Sequence, residues 1–161
     1  MSTMTDRTAA GRREERILRE GYGDGAWHGP DLQAALADVT EGAAFRRPAA
    51  GRHSIAEIAI HHAFYVHGAR AKLSGANPEP FVLEGEDWFT LEDGAAPSWP
   101  VVLDTVRREH AQLAALTGDI ATGATKSPLS DAERFDLVLG ITCHAVYHAG
   151  QIQLIKRLIE E

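Results

Sequence analysis

From Ser130 onward about 30 residues run without a proline, and they begin with Ser130 and Glu133 at the spacing of a capping box. Such a run predicts one helix, the longest in the chain. Within it Ile141, His144, His148, Ile152, Ile155 and Ile159 recur at intervals of three and four, which places them on one inward stripe. Two histidines therefore face the interior of whatever the helix packs against.

The rest of the chain also reads as helix. Arg12 to Glu20 surrounds Ile17 and Leu18 with charge and predicts a short N-terminal lead-in that "GYGDG" ends. "WHGPDLQAALADV" puts Pro30 in a first turn, Asp31 near the positive dipole end, and Leu32, Leu36 and Val39 on an apolar stripe. After the connector "RRPAAGRHS", Ser54 and Glu57 form a second capping box for a helix running to about Ser74. The stretch "GANPEPFVLEGEDWFTLEDGAAP" is broken by prolines and glycines and predicts a long loop, a kind of segment that often carries function. Ser98 then opens a helix with Trp99, Leu103, Val106, His110, Leu113 and Leu116 on its stripe, expected to end at Gly118. No run alternates apolar and polar residues for long enough to make a strand. The expected fold is all-α, a four-helix bundle with long connectors and a short helical lead-in. Residues 1–161 make a single domain, with residues 1–11 as a flexible segment.

Composition excludes several partners. A formal charge of −7 with no long lysine and arginine stripe opposes nucleic-acid binding. No segment approaches the roughly 20 apolar residues of a membrane span, and "MSTMTDRTAAGRREER" lacks the apolar stretch of a signal peptide. The lone Cys143 cannot form an internal disulfide, which fits a reducing compartment. The expectation is a cytoplasmic protein with a small-molecule substrate.

Burying two imidazoles without partners costs about 1–3 kcal/mol for each unsatisfied polar group. A divalent ion satisfies both at once, and an i, i+4 histidine pair can present both nitrogens to one ion. "SIAEIAIHHAFYVHGARAKL" offers His61, His62 and His67 as a third ligand. Periodicity from Ile55, Ile58, Val66, Ala69 and Leu73 places His62 nearest the middle of the stripe, with His61 beside it.

Two motifs, "SIAEIAIH" and "HAVYHAGQI", resemble those of the DinB family, metal-binding four-helix bundles related to YfiT proteins and thiol-dependent S-transferases. In that register the resemblance implies His61, His144 and His148 as the metal ligands. "AWHGPDLQAAL" is similar to the entry of the first bundle helix in one branch of the family. The likeness spans roughly residues 12–160. It implies a divalent ion, with zinc, nickel, iron and manganese all compatible with imidazole ligands, and a low-molecular-weight thiol as a second cofactor. A homodimer is expected by the same analogy.

Three imidazoles leave coordination positions open, which points to activation of a thiol or a water: a metal-dependent S-transferase or hydrolase. The alternative is a non-catalytic metal-binding or stress-response protein. Around the ligands, Glu57 is placed to orient His61 or only to cap its helix, and Gln151 to orient a ligand or bridge helices. Tyr65 shares a face with His61, and His110 is a candidate to support the ligands from behind. Gly150 is expected to permit close helix packing. Asp87 and Trp88, in the long loop, are positioned to cover the site.

Overall fold

A computed structural model describes residues 4–160 apart from Asp24 and Ala96. It contains six helices, α1 (Met4–Gly21), α2 (Leu32–Leu36), α3 (Glu41–Phe45), α4 (Ile55–Ser74), α5 (Trp99–Thr122) and α6 (Asp131–Ile159), and no strand among the described residues. No described helix is long and apolar enough to cross a membrane. The long helices α4 and α1 each pack against both α5 and α6, while α2 lies on α6 and α3 on α4.

Local chemistry sets the ends. Both capping boxes form: the Glu57 N–H donates to Ser54 Oγ at 3.3 Å and the Glu133 N–H to Ser130 Oγ at 3.3 Å, with each glutamate accepting from its serine's N–H. Gly75 (φ 68°) ends α4 and Gly123 (φ 81°) ends α5, both in the left-handed region that glycine enters cheaply.

Three expectations change. The N-terminal lead-in is an 18-residue helix that packs along α5 and α6. It begins at Met4, inside the segment read as flexible, of which residues 1–3 lie outside the described residues. Its glycines explain the fit: a Cβ on Gly21 would meet the Ala145 Cβ at 2.9 Å, and one on Gly11 would collide with Ala121. Second, the helix expected from "WHGPDLQAALADV" is only the five-residue α2, capped by Asp31. Thr40 competes by capping a separate helix, α3, accepting from the Ala43 N–H at 3.4 Å. Third, α5 continues through Gly118 to Thr122, because buried Ile120 extends its apolar stripe one turn further. Ser98 stands at its start without a side-chain cap.

The core is in two parts. One gathers the first half of α4, Trp99, Val102 and Val106 of α5, and Ala145 to Ile159 of α6, under α2, α3 and the loop residues Phe89 and Leu91. The other joins Leu18, Val66, Leu73, Leu113, Ile120, Val138 and Ile141. His110 on α5 and His144 on α6 stand between the two, and His62 on α4, one residue before the last α4 member of the first part, joins them. A polar layer therefore divides the apolar interior.

Candidate metal centre

The capping box of α4 brings His61 to the helical interior two turns on, and the α6 stripe brings His144 and His148 to meet it. The His61 Nε2 lies 3.2 Å from His144 Nε2, and His148 Nε2 lies 3.1 Å from the same atom. Their ligand atoms all fall within 4.8 Å of one another. Three nitrogens held about 2.1 Å from one ion at tetrahedral angles would stand roughly 3.4 Å apart, so the rings are spaced for a single divalent cation.

The hydrogen bonds behind the rings decide what those nitrogens present. His61 Nδ1 is 2.9 Å from the Asp87 carbonyl, which can only accept, so Nδ1 carries the proton. His148 Nδ1 donates to Gln151 Oε1 at 2.6 Å, and the Gln151 amide N–H donates to the Tyr147 hydroxyl at 3.1 Å. In the neutral rings both Nε2 atoms are thereby left as lone pairs. Lone pairs aimed at one point repel, and a cation resolves the conflict. That donor set fits a borderline metal ion.

His144 is oriented through a longer chain. Its Nδ1 lies 2.7 Å from His62 Nδ1, and His62 Nε2 lies 2.8 Å from His110 Nε2. His110 in turn stacks on Tyr22 at 4.1 Å. His62 has no solvent exposure. It is therefore a buried bridge between a candidate ligand and α5, and it stands behind the converging nitrogens.

Burial keeps these rings neutral. It holds His144 down to about 4, with the charges of His148 and His61 adding to the effect, and His148 down to about 4 against the hydrogen bond it donates to Gln151. Burial alone takes His110 to about 3. It also lowers His61, opposed by the Asp87 carbonyl, and lowers His62 strongly. At neutral pH the lone pairs are free for an ion.

The loop supplies what the helices lack. Asp87, at φ 62°, adopts the left-handed backbone that aspartate tolerates better than most residues. Its carbonyl faces His61, and its carboxylate accepts from the Tyr65 hydroxyl at 3.0 Å. The Tyr65 ring centroid lies 4.9 Å from that of His61 and 4.8 Å from that of His144. Trp88 stacks on His61 at 3.8 Å and on His53 at 3.7 Å, forming a three-ring pile that shields one face of the site.

Glu57 does not touch His61. Its buried carboxylate accepts from the Ser54 and Leu91 N–H groups, each at 3.0 Å, and pairs with Arg47. It acts at a distance, by fastening the loop at Leu91, four residues beyond Asp87. His67 is directed elsewhere, to Glu109 at 3.3 Å. His67, Glu79 and Glu109 also cluster, but Arg70 already bridges both carboxylates. Gly150 is exposed with nothing within 4 Å of a Cβ placed on it, so close packing does not explain it.

The sequence carries no signal for the Asp87 carbonyl, because a backbone acceptor can belong to any residue. The adjacency of His61 and His62 did carry one. The two rings diverge, one to the converging nitrogens and the other to the bridge behind them.

All-helical architecture and three imidazoles converging between two helices define a class of helical proteins with an interhelical histidine site. Within that class the assignment is specific: the model of the DinB superfamily matches residues 13–152, and the chain belongs to that superfamily. Neither the curated proteins nor the solved structures contain a match to it.

Proposed function

We propose that the chain is a metal-dependent enzyme built as a four-helix bundle of α1, α4, α5 and α6, with His61, His144 and His148 holding one divalent ion. The observation that carries this reading is the convergence of three Nε2 atoms whose far nitrogens are committed to other partners. A bound ion would supply Lewis acidity, lowering the pKa of a thiol or water in its remaining positions. The protein's own part is preorganisation. The Asp87 carbonyl and Gln151 hold protons on the outer nitrogens, His62 fixes the third ring, and burial keeps all of them uncharged. Transfer to a thiol and hydrolysis both use this device.

Metal analysis of untagged wild type, His61→Ala, His62→Ala and His148→Ala tests the ligand set. Wild type should carry about one ion per chain, and His61→Ala and His148→Ala almost none. A screen of small thiols with electrophiles, and of hydrolysable esters and amides, then tests catalysis. Turnover that never depends on added zinc, nickel, iron or manganese would remove the enzyme and leave a metal-binding protein. For the solution state we propose a homodimer, supported by exposed Trp27, Leu139 and Tyr147 around one apolar groove. Light scattering measures it.

A further inference from the structure

A cavity of about 620 Å³ adjoins the three-histidine site, within the range of small-molecule pockets. Two residues belong to both. Trp88 lines the cavity and stacks on His61, and Gln151 lines it and accepts from His148. A molecule seated there touches the two side chains that pack on candidate ligands.

The cavity's chemistry is uneven. Ile58 of α4 and Leu154, Ile155 and Leu158 of α6 make its apolar wall. Leu154 is 58% and Leu158 51% exposed, a solvated apolar surface on an otherwise charged chain. No acidic residue lines it among the described residues. Of the three arginines in the adjoining connector, Arg46 donates to the Ile159 carbonyl and Arg47 pairs with Glu57. Arg52, which lines the cavity, makes no side-chain hydrogen bond or ion pair among the described residues. His53 beside it already has Glu57 at 3.5 Å. One unneutralised guanidinium at the edge of an apolar cavity, in a chain of net charge −7, selects for a negative group attached to an apolar body.

We propose that this cavity binds a small organic anion, its apolar body against Leu154 and Leu158 and its carboxylate on Arg52, and that such anions are the substrate class of the adjacent centre. The second half rests on the metal reading above; the first does not.

The test uses the full-length protein, with octanoate, octanamide and octylamine as probes. In metal-free protein, calorimetry should show octanoate binding at least tenfold more tightly than octanamide and octylamine more weakly than either. Arg52→Gln, at an exposed position, should bring octanoate to the level of octanamide, and Leu158→Asp should weaken both. Equal binding of the three probes, or none, overturns the cavity assignment, as does a dimer that buries Leu154 and Leu158 without octanoate binding. Cobalt(II)-loaded protein tests the link to the centre. Octanoate should change its visible spectrum in wild type and much less in Arg52→Gln; an unchanged spectrum, or the same change with acetate, overturns the substrate assignment. Failure to take up cobalt removes the metal reading and the substrate half with it, while the metal-free titrations still decide the cavity.

Discussion

His62 Nδ1 lies 2.7 Å from His144 Nδ1, so two neutral rings share one proton between them. The chain onward to His110 can run in either direction. Only one direction, His144 donating to His62 and His62 to His110, leaves the His144 Nε2 lone pair facing His61 and His148. Metal loading therefore selects that direction. His62→Leu should weaken metal binding by roughly 10- to 100-fold although none of the three proposed ligands is removed. His62→Gln keeps an acceptor and a donor and should recover part of the loss. Competition titration against a chromophoric chelator reads both, and ¹⁵N shifts of the imidazoles report the tautomers directly.

This division of labour was half visible in the sequence. The stripe through His144 and His148 and the capping box seven residues before His61 mark the helices whose rings converge, because helical period and caps are local properties. Periodicity alone favoured His62 over His61. It located the more buried ring, and the most buried ring is the bridge. The histidine that meets His144 and His148 is the one nearer the loop, oriented by a backbone carbonyl that no pattern marks. The full extent of α1 and its place against α5 and α6 are hidden for a related reason. Its close packing comes from Gly11 and Gly21, small residues that leave no hydrophobic signature among so many charges.

The neutral histidines predict an acid limit. In the unfolded chain an imidazole ionises near pH 6.5, whereas in the fold His144 and His148 resist down to about 4 and His110 to about 3. Below 6.5 the unfolded state therefore takes up protons that the folded state refuses. Their stabilising effect is complete above that pH and is lost progressively as pH falls towards the folded values. For metal-free protein each of these rings loses on the order of 2.5 kcal/mol by pH 4.5, and one such ring alone corresponds to a fall of about 5–10 °C in Tm. Differential scanning calorimetry across that window checks it, and His148→Gln should flatten the slope.

Close approach at Gly21 gives a test of α1 as part of the core. A Cβ there would lie 2.9 Å from the Ala145 Cβ and 3.2 Å from the Thr142 carbonyl oxygen, and α6 backbone cannot yield as a flexible side chain can. Gly21→Val should cost about 1–3 kcal/mol through overpacking. Gly42→Val, in α3 with nothing within 4 Å of its Cβ, is the matched control. Urea unfolding should separate the two by midpoint, and equal midpoints would place α1 outside the packed core.

Glu57 couples the start of α4 to the loop, and substitutions can separate its two tasks. Ser54→Ala removes the cap hydroxyl and should cost about 1 kcal/mol. It leaves Glu57 bonded to the Leu91 N–H, so the loop stays fastened, the Asp87 carbonyl stays on His61, and metal affinity should hold. Glu57→Ala removes the cap, the anchor at Leu91 and the partner of Arg47 together. Its cost should be about 3 kcal/mol, the low end for breaking a buried pair, because Arg47 is 37% exposed and can turn to water. The larger difference is expected in metal binding. With the loop released, His61 loses the acceptor that keeps its proton on Nδ1, and affinity should fall several-fold or more in Glu57→Ala while Ser54→Ala stays near wild type. Parallel loss in both variants would mean that helix stability, and not the Asp87 carbonyl, governs the site.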